Sequence, residues 1–244
     1  MDNGIYIMLS RQLALFRDME VTSNNIANAN TTGYNAEHML FTSYLAKDIN
    51  QGVSNKMAFA HDISTYRNTE NGIMKVTGNQ LDFAIQGSGY FAVETPLGTR
   101  YTRAGNFQLD AQGVLATADG HPVLDNAGQR ITFPEDVTDI EIGETGTLKV
   151  NGEEFSTMGV YEFDNEQLLE RLDGRLYKAE ITPTISETSR VMQGTLESAN
   201  VQPVIELTRV IDISRSVGST AKFIETMYDL QRKTANVWAQ QGQA

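Results

Sequence analysis

The sequence predicts an α+β fold: long N- and C-terminal helices forming a coiled-coil-like layer, with an all-β domain inserted between them. Three observations predict it. Apolar residues at both ends recur at alternating spacings of three and four. An asparagine-rich run, Asn24-Asn25-Ile26-Ala27-Asn28-Ala29-Asn30, closes the first of these stretches. The middle breaks into short β-rich segments separated by glycine-containing turns.

In the N-terminal segment Ile5, Leu9, Phe16, Met19 and Ile26 share one seam, interrupted by Gln12 and Ser23. That is the pattern of one apolar helix face. Asp2 or Asn3 can cap its start. Asparagine is a poor helix-interior residue, because its amide competes for backbone groups. The run therefore marks the helix end. An ordinary C-cap uses one asparagine or glycine, and this stretch holds four asparagines. Two readings follow. The run is a polar helix end before a Thr-Thr-Gly turn, or the amides of Asn24, Asn25 and Asn28 are positioned to bond neighbouring chains.

The C-terminal segment carries a longer seam. Leu207, Val210, Val217, Ala221, Ile224, Tyr228, Ala235 and Trp238 fall on one three-four spacing, with Ser214 and Gln231 as its polar members. This is the a/d pattern of a coiled coil. A second row, Phe223, Met227, Leu230 and Val237, widens the stripe. A stripe this wide packs against more than one helix. A helix from Pro203 to Gln241 would be about 58 Å long at ~1.5 Å per residue. A compact domain of this mass is not much wider, so the stripe calls for burial against copies of itself or partners.

Between the ends, periodicity weakens over 37–76, an expected extended connector with a flexible polar loop at 49–57. The stretch 77–180 reads as the β domain. Its turn signals are Gly87-Ser88-Gly89, Thr95-Pro96-Leu97-Gly98, Asp110-Ala111-Gln112-Gly113, Ala118-Asp119-Gly120 and Asp125-Asn126-Ala127-Gly128. Many short strands with regularly placed turns suggest a barrel, sandwich or irregular β domain. Gly87, Gly89 and Gly105 are read as turn residues, and Glu166–Arg171 as a short helical turn. The Thr- and Ser-rich stretch 181–200 is the expected return connector. The terminal segments, 1–36 and 201–244, are the expected inner helical domain.

Composition narrows the function classes. A formal net charge of −12 over 244 residues repels phosphate backbones, which argues against nucleic-acid binding. There are no cysteines, so disulfides, thiolate metal sites and cysteine nucleophiles are excluded. No run approaches the length of a membrane span. The N-terminus lacks a basic region followed by an apolar one, so no cleaved signal peptide is expected.

Four stretches carry a resemblance. Asn24-Asn25-Ile26-Ala27-Asn28 followed by Thr32-Gly33-Tyr34 resembles the N-terminal signature of bacterial flagellar rod and hook proteins. Thr77-Gly78-Asn79-Gln80-Leu81-Asp82-Phe83-Ala84-Ile85-Gln86-Gly87-Ser88-Gly89-Tyr90-Phe91 resembles the start of that family's β domain. Tyr101-Thr102-Arg103-Ala104-Gly105-Asn106-Phe107 is similar to its next motif. Gly194-Thr195-Leu196-Glu197-Ser198-Ala199-Asn200-Val201, with Val204 and Glu206 after it, resembles the junction into its C-terminal helix. Four motifs in order are far more specific than one short match. The opening Met1-Asp2-Asn3-Gly4-Ile5-Tyr6 and Leu9-Ser10-Arg11-Gln12 is most similar to proximal-rod members, with distal-rod members next. One departure is Ser216-Val217-Gly218, where the family commonly has an aromatic residue and then Glu or Gln. Gly218 costs about 1 kcal/mol of helix stability relative to Ala.

The resemblance implies a structural subunit of the flagellar basal-body rod, transmitting torque from motor to hook. It implies export through the flagellar type III apparatus, a location in the periplasmic rod, and partners that are copies of itself and other rod subunits. The terminal helices would form the inner layer. The expected assembly residues are Ile5, Leu9, Phe16, Met19, Asn24, Asn25, Ile26, Asn28, Leu207, Val210, Val217, Ile224, Tyr228 and Trp238. No catalytic, cofactor or metal site is expected. The competing reading is an enzyme acting on cell-wall polysaccharide, which needs paired carboxylates across a cleft. Its candidates Asp110, Asp119 and Asp125 sit in turns, where acidic residues are common. His38, His61 and His121 show no metal-ligand spacing.

Overall fold

A computed structural model describes residues 2–47, 56–134, 139–173, 175–186 and 188–241. The fold is α+β, with a helix at each end and β-structure between. Contacts divide the chain into two units. One comprises 1–26, 37–66 and 202–244, and the other 27–36 and 67–201.

The helical unit is built from α1 (Asp2–Ala27), α2 (Pro203–Gln241), β1 (Glu37–Lys47) and most of β2 (Lys56–Arg67). β1 and β2 pair as a two-stranded sheet. They occupy much of the stretch expected as a connector. The polar loop expected at 49–57 lies largely outside the described residues. α2 begins with Pro203, whose missing N–H costs nothing in a first turn. It runs through Gly218 without a break.

The β unit is organised by β5 (Tyr90–Thr95), which is buried on both faces. Alternation sends Phe91 and Val93 into one core, with Phe83, Phe107, Leu115, Leu148 and Met158. It sends Tyr90 and Ala92 into a second, with Tyr101, Phe163, Leu169 and Tyr177. β5 pairs antiparallel with β6 (Gly98–Thr102) across the turn at Pro96-Leu97. The resulting six-stranded sheet continues through β14 (Leu176–Lys178) to β13 (Glu170–Asp173) on one side. On the other it continues through β12 (Val160–Glu162) to β15 (Thr184–Ile185). A three-stranded sheet holds β9 (Ile140–Ile142), β10 (Thr147–Val150) and β11 (Glu153–Thr157). Three short pairs complete the unit: β3 (Met74–Val76) with β17 (Thr195–Glu197), β4 (Phe83–Gln86) with β16 (Arg190–Gln193), and β7 (Phe107–Leu109) with β8 (Leu115–Thr117). The helical turn expected near 166–171 is a 3-10 turn at Glu166–Leu168, capped by the Asn165 side chain.

Gly105 differs from its expectation as a turn residue. Its φ is not left-handed, but a Cβ there would sit 1.7 Å from the Phe83 carbonyl oxygen. The Phe83 N–H donates to the Gly105 carbonyl at 2.9 Å. Glycine is required at this position because two backbones meet.

Candidate functional site

Parts of all four resembling motifs meet inside the β unit. Gly33 has φ +68°, and its N–H donates to the Glu197 carbonyl at 2.9 Å. A Cβ on Gly33 would lie 2.4 Å from the Arg103 carbonyl carbon. Thus Thr32-Gly33-Tyr34 closes simultaneously on the Arg103 motif and the Glu197 motif.

Arg103 and Glu197 form an ion pair at 3.1 Å, with both side chains almost wholly buried. A buried pair needs further hydrogen bonds to offset desolvation, and it has them. Arg103 Nη1 also donates to Asn71 Oδ1 at 2.7 Å, and Nη2 to the Gly87 carbonyl at 2.8 Å. Glu197 Oε1 accepts the Gly72 N–H at 2.8 Å. The guanidinium stands 5.4 Å from the Tyr90 ring centroid. Tyr90 donates its hydroxyl to Glu166 Oε2 at 2.8 Å. Burial, and then the neighbouring Glu166 carboxylate, push the Tyr90 phenol above its ordinary range.

Asn200 performs the same service for the backbone. Its Oδ1 accepts the Ala36 N–H at 2.7 Å. Its Nδ2 donates to the carbonyls of Asn68 and Glu70 at 2.9 and 2.8 Å. Asn35 Nδ2 also donates to the Asn68 carbonyl, and the Asn68 N–H to the Ala36 carbonyl. Tyr34, Ala36, Ala199 and Val201 pack as a small apolar cluster beneath these bonds. Two more arginines extend the joint. Arg171 lies 4.4 Å over the Tyr34 ring and donates to the Asn35 carbonyl. Arg67 lies 4.3 Å over Tyr177 and donates to the carbonyls of Glu166 and Leu169. The segments 27–36, 67–73 and 195–201 are thereby fastened to one another within the β unit.

The helical unit has an unusual distribution of side chains. Among the described residues the buried positions of α1 are Ala14, Asp18, Thr22 and Asn25, and those of α2 are Glu206, Ile213 and Thr220. Most are polar. Thr22 and Thr220 donate their hydroxyls to carbonyls of their own helices. Meanwhile Tyr6, Leu9, Leu13 and Phe16 of α1 are exposed, as are Val204, Leu207, Ile211, Phe223, Tyr228 and Leu230 of α2. Leu13 is 58% exposed and Val204 77%. A groove of ≈ 450 Å³ opens beside Leu15, bordered on α2 by Val204, Ile205, Thr208, Asp212 and Ser216.

The expected assembly residues therefore fall into different places. Val210, Val217 and Ile224 are partly buried, as are Ile5, Met19 and Ile26. Leu9, Phe16, Leu207 and Tyr228 are exposed. The intramolecular stripe of α2 shares Val210, Val217 and Ile224 with the expected seam. Its alternate positions are Glu206, Ile213 and Thr220, one residue before Leu207, Ser214 and Ala221. The side chain of Trp238 lies outside those described. Among the asparagines, Asn24 is exposed. Asn25 is only 1% exposed, donating Nδ2 to the Glu37 carbonyl at 2.8 Å and accepting the Glu37 N–H at 3.0 Å. This two-way bond imitates a strand ladder and joins the end of α1 to the start of β1. Asn28 Oδ1 accepts the Thr31 hydroxyl at 3.2 Å.

The carboxylates considered for catalysis have structural partners. Asp110 accepts the N–H groups of Gln112 and Val114, and Asp125 those of Ala127 and Gln129. Asp119 pairs with Arg175. Among the described residues no group of three His, Cys, Asp or Glu could hold a metal ion, and no helix is long and apolar enough to cross a membrane. Sequence reasoning missed Arg103, Glu197 and Asn200 as a single joint. The available signal was Glu197, the lone charge between Arg190 and Glu206.

Comparison with known proteins agrees with the motifs. Residues 5–35 match the family described as flagella basal body rod protein. Residues 84–150 match the flagellar hook protein FlgE/F/G D1 domain, and residues 192–237 the flagellar basal body rod FlgEFG protein C-terminal family. The flagellar basal-body rod protein FlgF of Caulobacter vibrioides is 36% identical over 235 residues, covering 95% of this chain and 96% of the relative. FlgF of Rhizobium meliloti is 33% identical, covering 93% of this chain and 98% of the relative. The basal-body rod protein FlgG of Bacillus subtilis is 31% identical, covering 90% and 92%. With the rod signature at the N-terminus, the hook-type β domain after it and the rod-type helix at the end, the chain belongs to the flagellar basal-body rod protein family, the structural subunits of the rod.

Proposed function

We propose that this chain is a proximal-rod subunit that polymerises through α1 and α2, with copies of itself and other rod subunits as neighbours. The observation that carries this is the inverted helical unit. A monomer seldom exposes large contiguous apolar surface without a partner for it. Here polar groups occupy the inside, while Leu9, Leu13, Phe16, Leu207, Ile211 and Tyr228 face outward. The axial face is built from these residues and the exposed Asn24. Asn25 serves it indirectly by fixing how α1 ends. The FlgF relatives match over 93–97% of this chain at 33–36% identity and the FlgG relatives over 86–90% at 27–35%, and the fuller coverage favours the proximal over the distal rod. In this reading the subunit lies in the periplasmic part of the basal body, after type III export. It works without catalysis, since the acidic residues of its turns are engaged as caps and ion pairs.

Leu13→Asp combined with Leu207→Asp tests the reading. The soluble subunit keeps its stability within about 0.5 kcal/mol, as expected for exposed positions. Purified basal bodies from cells carrying only this variant lack the proximal rod. Intact rods containing the variant would defeat the proposal. The chain has no cysteines, so single-cysteine pairs placed on the two exposed faces report neighbouring copies directly by cross-linking.

A further inference from the structure

We propose that Asn71 is a self-modification site, at which Glu197 and Arg103 drive closure of the Asn71-Gly72 pair to a succinimide and hence its deamidation. The chain holds three Asn-Gly pairs, Asn3-Gly4, Asn71-Gly72 and Asn151-Gly152. Such a pair can cyclise because glycine, without a Cβ, presents the least hindered backbone nitrogen as nucleophile. At Asn71 both reacting groups are held by the buried ion pair of the joint. Asn71 Oδ1 accepts from Arg103 Nη1 at 2.7 Å. The Gly72 N–H donates to Glu197 Oε1 at 2.8 Å. Nη1 and Oε1 are themselves 3.4 Å apart, so the side-chain carbonyl and the following N–H are drawn to one place. Asn71 Nδ2 donates to the Gly87 carbonyl at 3.3 Å. A donor on one side and an acceptor on the other fix which way the amide points.

These are the contacts that the reaction needs. As the Gly72 nitrogen attacks Asn71 Cγ, its proton passes to Glu197 Oε1. The negative charge that develops on Oδ1 faces the Arg103 guanidinium, in the manner of an oxyanion hole. Collapse of the tetrahedral centre breaks the Cγ–Nδ2 bond. Glu197 returns the proton to Nδ2, which leaves as ammonia, and the new bond from Gly72 N to Cγ closes the imide. Water then adds across either ring C–N bond, giving aspartate or isoaspartate and restoring an N–H. No other reactant is required. The two catalytic side chains are almost wholly buried, where charges act with little screening. Asn71 itself is exposed, so water reaches the imide and ammonia departs.

Packing explains the glycine but not the asparagine. A Cβ on Gly72 would lie 1.8 Å from the Ser198 carbonyl oxygen, so glycine is required there whatever precedes it. Asn151-Gly152 provides the contrast. It forms the tight turn between β10 and β11, with Asn151 at φ +52°. Its Oδ1 accepts the Asp139 N–H at 3.3 Å rather than a guanidinium. The product at Asn71 alters the joint. Isoaspartate lengthens the backbone by one carbon beside Gly72, and either product sets a carboxylate next to Arg103, in competition with Glu197. The segments 67–73 and 195–201 are thereby loosened from each other. This is a single change of the subunit's own chain, not turnover of a substrate, and the β unit carries it whether or not the helices polymerise.

The test uses the full-length subunit at neutral pH, native and unfolded in urea, incubated in heavy-oxygen water. Peptide mass spectrometry reads the exchange of amide for acid at residues 71 and 151, and the heavy oxygen marks only products formed during incubation. A fixed backbone ordinarily slows cyclisation, and Asn151 reacts more slowly in the native chain than in the unfolded one. At Asn71 the order reverses. The native chain reacts at least about tenfold faster, a modest share of the ~10²–10⁴ that one positioned acid or base contributes. A native rate short of that factor overturns the proposal. Glu197→Gln keeps an oxygen for the Gly72 N–H but cannot take its proton, and the native rate at Asn71 falls at least about tenfold. A smaller fall in a folded variant also overturns it. Should Glu197→Gln fail to fold, the ratio of native to unfolded rates in the wild type decides alone.

Discussion

Gly33→Ala measures how firmly the motif joint is closed. Two terms act on it. The first is conformational: Gly33 sits at φ +68°, and an L-residue there costs roughly 1–2 kcal/mol. The second is steric. The new Cβ meets three backbone atoms, the Arg103 C, the Ala104 N and the Arg103 O, at 2.4, 2.5 and 2.7 Å. Backbone cannot rotate away as a side-chain end can. Relief requires moving Gly33 from Arg103, which lengthens its 2.9 Å bond to the Glu197 carbonyl. That bond is worth about 1 kcal/mol. Together the substitution costs about 3–5 kcal/mol, in the range reserved for broken networks and strained backbone. Gly120→Ala is the control. Gly120 has φ +82°, but nothing lies within 4 Å of its added Cβ, so only the conformational term remains. Urea unfolding followed by near-ultraviolet circular dichroism of the buried tyrosines gives both values. Equal destabilisation by the two substitutions would refute the joint as a steric closure.

Arg103→Met leaves Glu197 charged and buried, and costs about 3–5 kcal/mol. Adding Glu197→Leu recovers much of this, and a double mutant no better than the single one counts against the pair. Asn25→Ala removes both bonds to Glu37 and costs about 2–3 kcal/mol; faster exchange at the Glu37 amide checks the location of the loss. Glu162 is held below the usual carboxylate range, chiefly by the Ser186 hydroxyl, against the opposing effect of burial, with Ser189, Thr188 and Ser88 adding to it. Its folded pKa lies below the unfolded value of 4.5, so its contribution is complete above that value and disappears as pH falls through the folded pKa. Glu162→Gln flattens this acid limb of the stability curve, and an unchanged limb would show that the hydroxyls do not hold the charged form.

The α+β class was legible because periods of two and of three to four differ wherever the pattern runs for several turns. Which partner buries an apolar residue was not. Val210, Val217 and Ile224 appear in both the expected seam and the observed stripe. Glu206 and Thr220 belong to the observed stripe and were invisible, because a hydrophobicity pattern discounts polar residues even when they face inward. Asn25 stood out in the sequence, but as an amide for a neighbouring chain, and its partner within the chain did not show. Its amide completes a two-residue ladder with Glu37, twelve positions away, and nothing in residues 24–30 specifies that partner. The joint of Gly33, Arg103 and Glu197 was harder still. Its members are separated by 70 and 94 positions, and the return segment comes beside the outgoing one only in the folded pairings of β3 with β17 and of β4 with β16.

These misses share a cause that bears on the rod. A subunit that folds alone puts its apolar residues inside, and sequence patterning then reports the intramolecular core. A subunit whose helices are completed by neighbours must divide its apolar residues between two interfaces. The inner one can then be small and largely polar where its polar groups are bonded, as Asp18 is by Arg209 and Asn25 by Glu37, although Glu206 Oε2 has no partner among the described residues. Such an interior is specific but weakly cohesive, because burying polar groups contributes little beyond offsetting their desolvation. In the proposed assembly Leu207 and Tyr228 would add their transfer free energy only when a neighbour covers them, at roughly 1.5–3 kcal/mol for each large side chain fully covered. In the polymerisation proposed above, several such residues on each helix would make assembly a larger source of stability for the helical unit than its own polar interior. The β unit, with its two apolar cores and its buried arginine joint, does not depend on that step.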